Sequence, residues 1–331
     1  MAMGRRMARA VAAMTLLVLV MGVLVVATES GDACGFDWPY CGGKLYPDPT
    51  NVKQVIEYTH RLVTGLLSFV VVANAAVAFH PAVRRRGGTG LALGLVALLF
   101  LQAGVGGLNV LLGTPKGFTT LDVMVSEALW VAVMIYLARR EADETALSQK
   151  PAAGDRTALK ALRRSAAVLT AAVYGTLVLG GFFKHSALAE VFFGLEPERV
   201  WLRDPVLARS VYVLHGTLGL SATIAAAALG VATAHLTVPF RRRFWLPVAA
   251  ASTLLVLEVG IGFVVVVAGL KPFWVAAHMI LATLSLGATA FLYGSVDAAL
   301  RPASVSGERT AERGRRPEGL GRAEFAGEGR G

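Results

Sequence analysis

Long, unbroken blocks of apolar residues dominate the chain, and charged residues fall mostly between them. The blocks lie at about 11–28, 56–79, 90–113, 119–138, 164–183, 209–235, 244–269 and 273–297. Each approaches or exceeds the roughly 20 residues that a helix needs to cross a bilayer. An open chain in lipid satisfies its backbone only as helices, or as a closed barrel. These blocks are too long and too uniformly apolar for barrel strands. The pattern predicts an all-α integral membrane protein with eight transmembrane helices. The first block follows Arg5, Arg6 and Arg9 and has the look of a secretory signal. Its length, and the lack of a clear small-x-small cleavage site before Cys34, point instead to a retained first helix.

Composition agrees. Of 331 residues, 55% are hydrophobic and 16% charged, too few charges to cover a soluble domain of this size. The net charge of +10 raises the question of nucleic acid. The arginines, however, form short clusters between apolar blocks, without the aromatic–basic interleaving of a single-strand binder. We therefore expect a lipid bilayer as partner and no nucleic acid. Arg5–Arg9, Arg84–Arg86, Arg139–Arg140 with Arg163–Arg164, and Arg241–Arg243 fall on one side. The positive-inside rule puts that side, and both termini, in the cytoplasm. Residues 299–331 mix Arg, Glu, Gly and Ser and read as a disordered cytoplasmic tail.

A repeat follows from one motif. Gln102-Ala-Gly-Val-Gly-Gly recurs as Glu258-Val-Gly-Ile-Gly-Phe, 156 residues later; Gly113 and Gly269 keep that offset, and His60 and His215 differ by 155. The expected architecture is two duplicated four-helix bundles, 1–140 and 164–298, joined by a cytoplasmic linker at 141–163. Four spans per half give both halves the same orientation, related by an axis along the membrane normal.

Polar side chains inside a bilayer are costly and usually face the bundle interior. Here they are few: Glu57, His60 and Arg61 on the second span, Asp122, Ser126 and Glu127 on the fourth, His215 on the sixth, Glu258 on the seventh and His278 on the eighth. His80, His185 and His235 fall at span ends and read as interfacial. His215 and His278 sit at similar depth on antiparallel spans, which suits bis-histidine heme ligation. Two unrelated hydrogen-bonded histidines, or a proton relay, would use the same residues. His60 holds the place equivalent to His215. Glu57, three residues earlier, shares its helix face, where it can serve a ligated iron or simply pair with Lys53 or Arg61. The 156-residue offset carries His278 onto Asp122, and Ala282 onto Ser126. Cys34 and Cys41 lie in the first outer loop, on the oxidising side, and read as a disulfide, either a staple or a redox pair.

Together these residues resemble the heme A synthase family, the membrane enzymes that oxidise a methyl of heme O to the formyl of heme A during terminal oxidase assembly. The matching pieces are Cys34-x6-Cys41 with Asp37-Trp38-Pro39, Glu57-x-x-His60-Arg61, Gln102-x-Gly-x-Gly-Gly, His215, and His278-x-x-x-Ala282. The resemblance covers about residues 10–297. It implies heme B as cofactor between His215 and His278, heme O as substrate in the first half, Glu57 as the essential catalytic residue, His60 as an iron ligand, and a Cys34–Cys41 disulfide. It also implies heme O synthase as a source of substrate and an electron donor that the sequence does not name, and it leaves room for a homo-oligomer. Two positions depart from the pattern. Asp122 stands where the family usually has a fourth histidine, and Gly216 where it often has arginine. A carboxylate is a poorer iron partner than imidazole. That leaves two further readings: a heme-binding electron-transfer or heme-handling protein that has lost heme A synthesis, or an inert oxidase assembly factor.

Overall fold

The computed structural model describes residues 2–36, 39–84, 88–142, 151–196 and 201–301. Among the described residues, eight long helices make up the body: α1 (Ala2–Ala27), α2 (Val52–Phe79), α3 (Thr89–Leu111), α4 (Phe118–Glu141), α5 (Ala153–His185), α6 (Pro205–Ala234), α7 (Val238–Val267) and α8 (Pro272–Leu300). All eight are long and apolar enough to cross a membrane, so this is a multi-pass membrane protein. Most helices begin or end within a few residues of the apolar blocks. α5 differs at its start. It begins at Ala153, so part of the expected linker is helix; residues 143–150 of that linker, and the tail from 302 onward, lie outside the described residues.

Local chemistry sets several helix starts. The Asn51 side chain caps α2 by accepting from the Gln54 backbone N–H. Asp204 caps α6 by accepting from Val206 and Leu207, with Pro205 in the first helical position. Pro272 opens α8 in the same way. Gly113 and Gly117, both at positive φ, turn the chain between α3 and α4, and Gly269 turns it between α7 and α8.

Neighbour order is the same in the two sets of four. α1–α2–α3–α4 close a ring, α4 packing back on α1; α5–α6–α7–α8 close a second, α8 packing back on α5. The rings meet through α4 against α8, flanked by α1 against α8 and α4 against α5. α1 is therefore an integral member of the bundle. The sequence makes the central seam close. Small residues on α8 (Ala282, Gly287, Ala290, Gly294) let α4 approach until Gly287 meets the Trp130 indole and Gly294 meets Ala138. More than half of the apolar stretch of α8 is enclosed by protein, against a third or less in the other seven, so α8 lies at the centre.

Polar ties fasten the ends. Arg9 on α1 pairs bidentately with Glu141 on α4, and Arg163 on α5 pairs with Asp297 on α8. Asp297 also receives Arg139 and Arg301. Asp155 accepts from the Thr237 backbone and hydroxyl, pinning the start of α5 to the α6–α7 turn.

Candidate functional site

In the second ring, Asp204 and Pro205 start α6 three turns before His215, and Pro272 starts α8 six residues before His278. The two imidazoles face each other with ring centroids 6.1 Å apart and planes at 86°. Each ring is oriented through Nδ1. That of His215 lies 3.0 Å from the Thr176 carbonyl of α5, and that of His278 lies 3.2 Å from the Glu258 carbonyl of α7. A carbonyl can only accept, so each Nδ1 carries the hydrogen and Nε2 is left as the lone-pair nitrogen. Glycine clears the space behind each ring. A Cβ at Gly180 would lie 2.7 Å from His215 Cε1, and one at Gly262 would lie 3.1 Å from His278 Cε1.

In the first ring, glycines likewise stand behind His60 and Asp122. Gly22 on α1 stands behind His60, its would-be Cβ 3.6 Å from Nε2. Gly106 on α3 stands behind Asp122, 3.3 Å from Oδ1. The motif glycines thus serve as close-approach points, Gly106 in one ring and Gly262 in the other. Asp122 does not reach Lys116; its Oδ1 accepts from Gln102 Nε2 at 2.7 Å. Gln102 and Asp122 hold the places of Glu258 and His278, whose side chains approach to 4.0 Å.

Glu57 is buried, and both its oxygens are engaged. Oε2 accepts from the Cys34 backbone N–H at 2.7 Å, and Oε1 pairs with Arg61 one turn on. Arg61 also donates to the Gly35 and Tyr40 carbonyls. The carboxylate and the guanidinium together hold the loop that the Cys34–Cys41 disulfide closes. The Glu57–Arg61 pairing, one of the alternatives open in the sequence, is therefore present. Asp37 and Trp38 of the loop motif lie outside the described residues. His80 and His235 are exposed at helix ends, as expected of interfacial histidines. His185 differs, because its Nε2 is enclosed and has no hydrogen-bond partner.

Residues 5–289 match the family described as cytochrome oxidase assembly protein, COX15-CtaA. The chain belongs to that family. Curated relatives of this cytochrome oxidase assembly family member carry the name heme A synthase. That of Alkalihalophilus pseudofirmus is 28% identical over 173 residues, 52% of this chain and 56% of the relative. That of an Exiguobacterium species is 48% identical over 64 residues, 19% of this chain and 21% of the relative. That of Halalkalibacterium halodurans is 33% identical over 121 residues, 37% and 40% respectively. The matched part of the chain thus spans about half the length of these relatives, or less.

Sequence reasoning missed two elements. The Gln102 side chain as the partner of Asp122 was visible only as a motif letter, although its 156-residue offset from Glu258 was a usable signal. The bond between Glu127 and Thr283 was missed entirely, because threonine on an apolar span carries no signal of its own.

Proposed function

We propose that this chain is a membrane oxidoreductase that converts the methyl of heme O to the formyl of heme A for terminal oxidase assembly. The observation that carries this reading is the asymmetry between the two rings. One ring sets imidazole against imidazole. The other carries a single imidazole, His60, and the carboxylates Glu57 and Asp122. The first suits a permanently held cofactor and the second a substrate.

The second ring fits heme B. Two metal–imidazole bonds of about 2 Å each, with roughly 1 Å from nitrogen to ring centre on either side, span about 6 Å between centroids. The centroids here are 6.1 Å apart. Both Nε2 atoms are free to ligate, and both Nδ1–H groups are anchored, which fixes ring orientation and raises ligand basicity. When bound there, heme B supplies one-electron carriage close to the substrate site. Everything else falls to the chain. His60 orients the substrate through its iron. Glu57, held between the Cys34 N–H and Arg61, handles protons at the substrate edge. The apolar flanks exclude water. In this reading the two helix sets are the halves of a duplicated unit, the disulfide loop faces outward, and the arginine clusters face the cytoplasm of a bacterial membrane. Heme O synthase is the natural supplier of substrate, and the electron donor lies outside the chain.

The second reading is a heme-handling or electron-transfer protein that keeps the bis-histidine site and has lost synthesis. The Asp122–Gln102 bond favours it, because it already engages one oxygen of the carboxylate that stands in place of an imidazole. Expressing the chain in a heterologous host that makes heme O, then extracting pigments, separates the two. Heme A, or its hydroxylated precursor, supports synthesis. Heme O alone, with a heme B spectrum intact, supports the second reading.

A further inference from the structure

Glu127 and Thr283 meet on the seam between the two rings, and they are 156 residues apart. That is the offset relating Gln102 to Glu258 and Asp122 to His278. The two positions are therefore counterparts of each other, in direct contact where the two rings meet. Each lies five residues inward of its ring's ligand position, Asp122 or His278, a helical rise of roughly 7.5 Å. Glu127 thus stands between the two sites.

Its surroundings are unusual. The residue is 5% exposed and Thr283 is 3% exposed. Oε1 accepts from the Thr283 hydroxyl at 2.7 Å, and Oε2 has no partner. No ion pair to Glu127 is found among the described residues. The elements packed around it offer few ionisable groups at this depth. α3 has none along its length, and α1 has only Arg5, Arg6 and Arg9 near its start. α5 presents Tyr174, whose hydroxyl donates to the Met124 carbonyl beside Glu127. α8 presents His278 on one side and, further inward, Tyr293 and Asp297, the last engaged by three arginines. On α4 itself the nearest is Asp122, already bonded to Gln102. A carboxyl with one hydroxyl and no cation in a low-dielectric interior cannot ignore a charge arriving nearby. Threonine fixes one oxygen and leaves the other available.

We propose that Glu127 is a proton-exchanging residue of the seam, taking up one proton when an electron enters the heme held by His215 and His278. The proposal rests on the heme B reading above. The balance is simple. One electron from a one-electron reductant goes to the iron; one proton passes from a hydronium ion of bulk water to the Glu127 carboxylate, breaking one hydronium O–H and forming the carboxyl O–H, with water left behind. Charge arriving on one ring is thereby offset at a point shared with the other.

Potentiometric titration of the detergent-purified protein across neutral pH, following the low-spin heme against electrode-poised mediators, tests this. The wild-type midpoint should fall with rising pH, towards the tenfold-per-unit limit of one proton per electron, about 59 mV. In E127Q, which can still accept from Thr283, heme content and the low-spin spectrum should persist while the slope drops by at least half. An unchanged slope overturns the proposal. Infrared spectra give a second readout that needs no heme. The wild type should show a carboxyl band that titrates, shifts in D2O and moves in T283V. A missing band, or one indifferent to T283V, overturns the proposal even if E127Q does not fold. If H215A and H278A both leave the heme spectrum unaltered, the heme B reading fails on its own account, and the infrared band still decides Glu127.

Discussion

The Cys34 backbone N–H donates to Glu57 Oε2 at 2.7 Å, so the carboxylate on α2 is held by the loop that the Cys34–Cys41 disulfide closes. Arg61 completes the clamp from the other side, bonding Glu57 Oε1 and two loop carbonyls. The state of the disulfide and the position of the carboxylate are thus one structural unit.

On the function proposed above, the double substitution C34S/C41S should therefore affect chemistry rather than cofactor binding. A hydrogen bond to a charged group contributes about 1.5–3 kcal/mol, so loosening it should lower heme A formation by about tenfold or more. The low-spin heme of the second ring should be retained. Pigment extraction beside an optical spectrum of the same preparation checks both. Unimpaired heme A formation would reduce the disulfide to a structural staple.

H215A and H278A should each abolish the low-spin signal of the purified protein or convert it to high spin. H60A should leave that signal in place, because His60 belongs to the other ring. Optical and paramagnetic resonance spectra of the three variants provide the comparison.

The glycines behind the imidazoles give a graded test. A Cβ at Gly180 would lie 2.7 Å from His215 Cε1, whereas one at Gly262 would lie 3.1 Å from His278 Cε1. Over-packing of this kind costs about 1–3 kcal/mol. G180A should lose most of its heme B, and G262A a smaller share, measured as heme per protein after purification. Equal, full occupancy in both would show that the rings have more room than these contacts imply.

D122H should add an imidazole at the counterpart of His278 and release Gln102 from its 2.7 Å bond. With substrate heme present, the expected outcome is a second low-spin species. An unchanged spectrum with unchanged heme O binding would place Asp122 away from the substrate.

The number of spans and their approximate limits were legible in the sequence, as was the 156-residue motif offset, because each rests on local information. Twenty apolar residues must form a helix in lipid whatever surrounds them, and a motif repeated 156 residues on needs no partner to be seen. His215 and His278 were legible as a pair for the same reason, since depth in a bilayer follows from the distance to a helix end. Contacts between helices are another matter. Whether Glu57 meets Lys53, Arg61 or a backbone N–H of the first loop depends on how that loop folds back over α2. Whether Asp122 reaches Lys116 or Gln102 depends on the rotation of α3 against α4. The pairing of Glu127 with Thr283 depends on α4 and α8 approaching across a seam that Gly287 and Gly294 keep narrow. Helix periodicity says which residues share a face, but packing between faces is set by the shapes of all the side chains at once, so only the tertiary structure decided these partners.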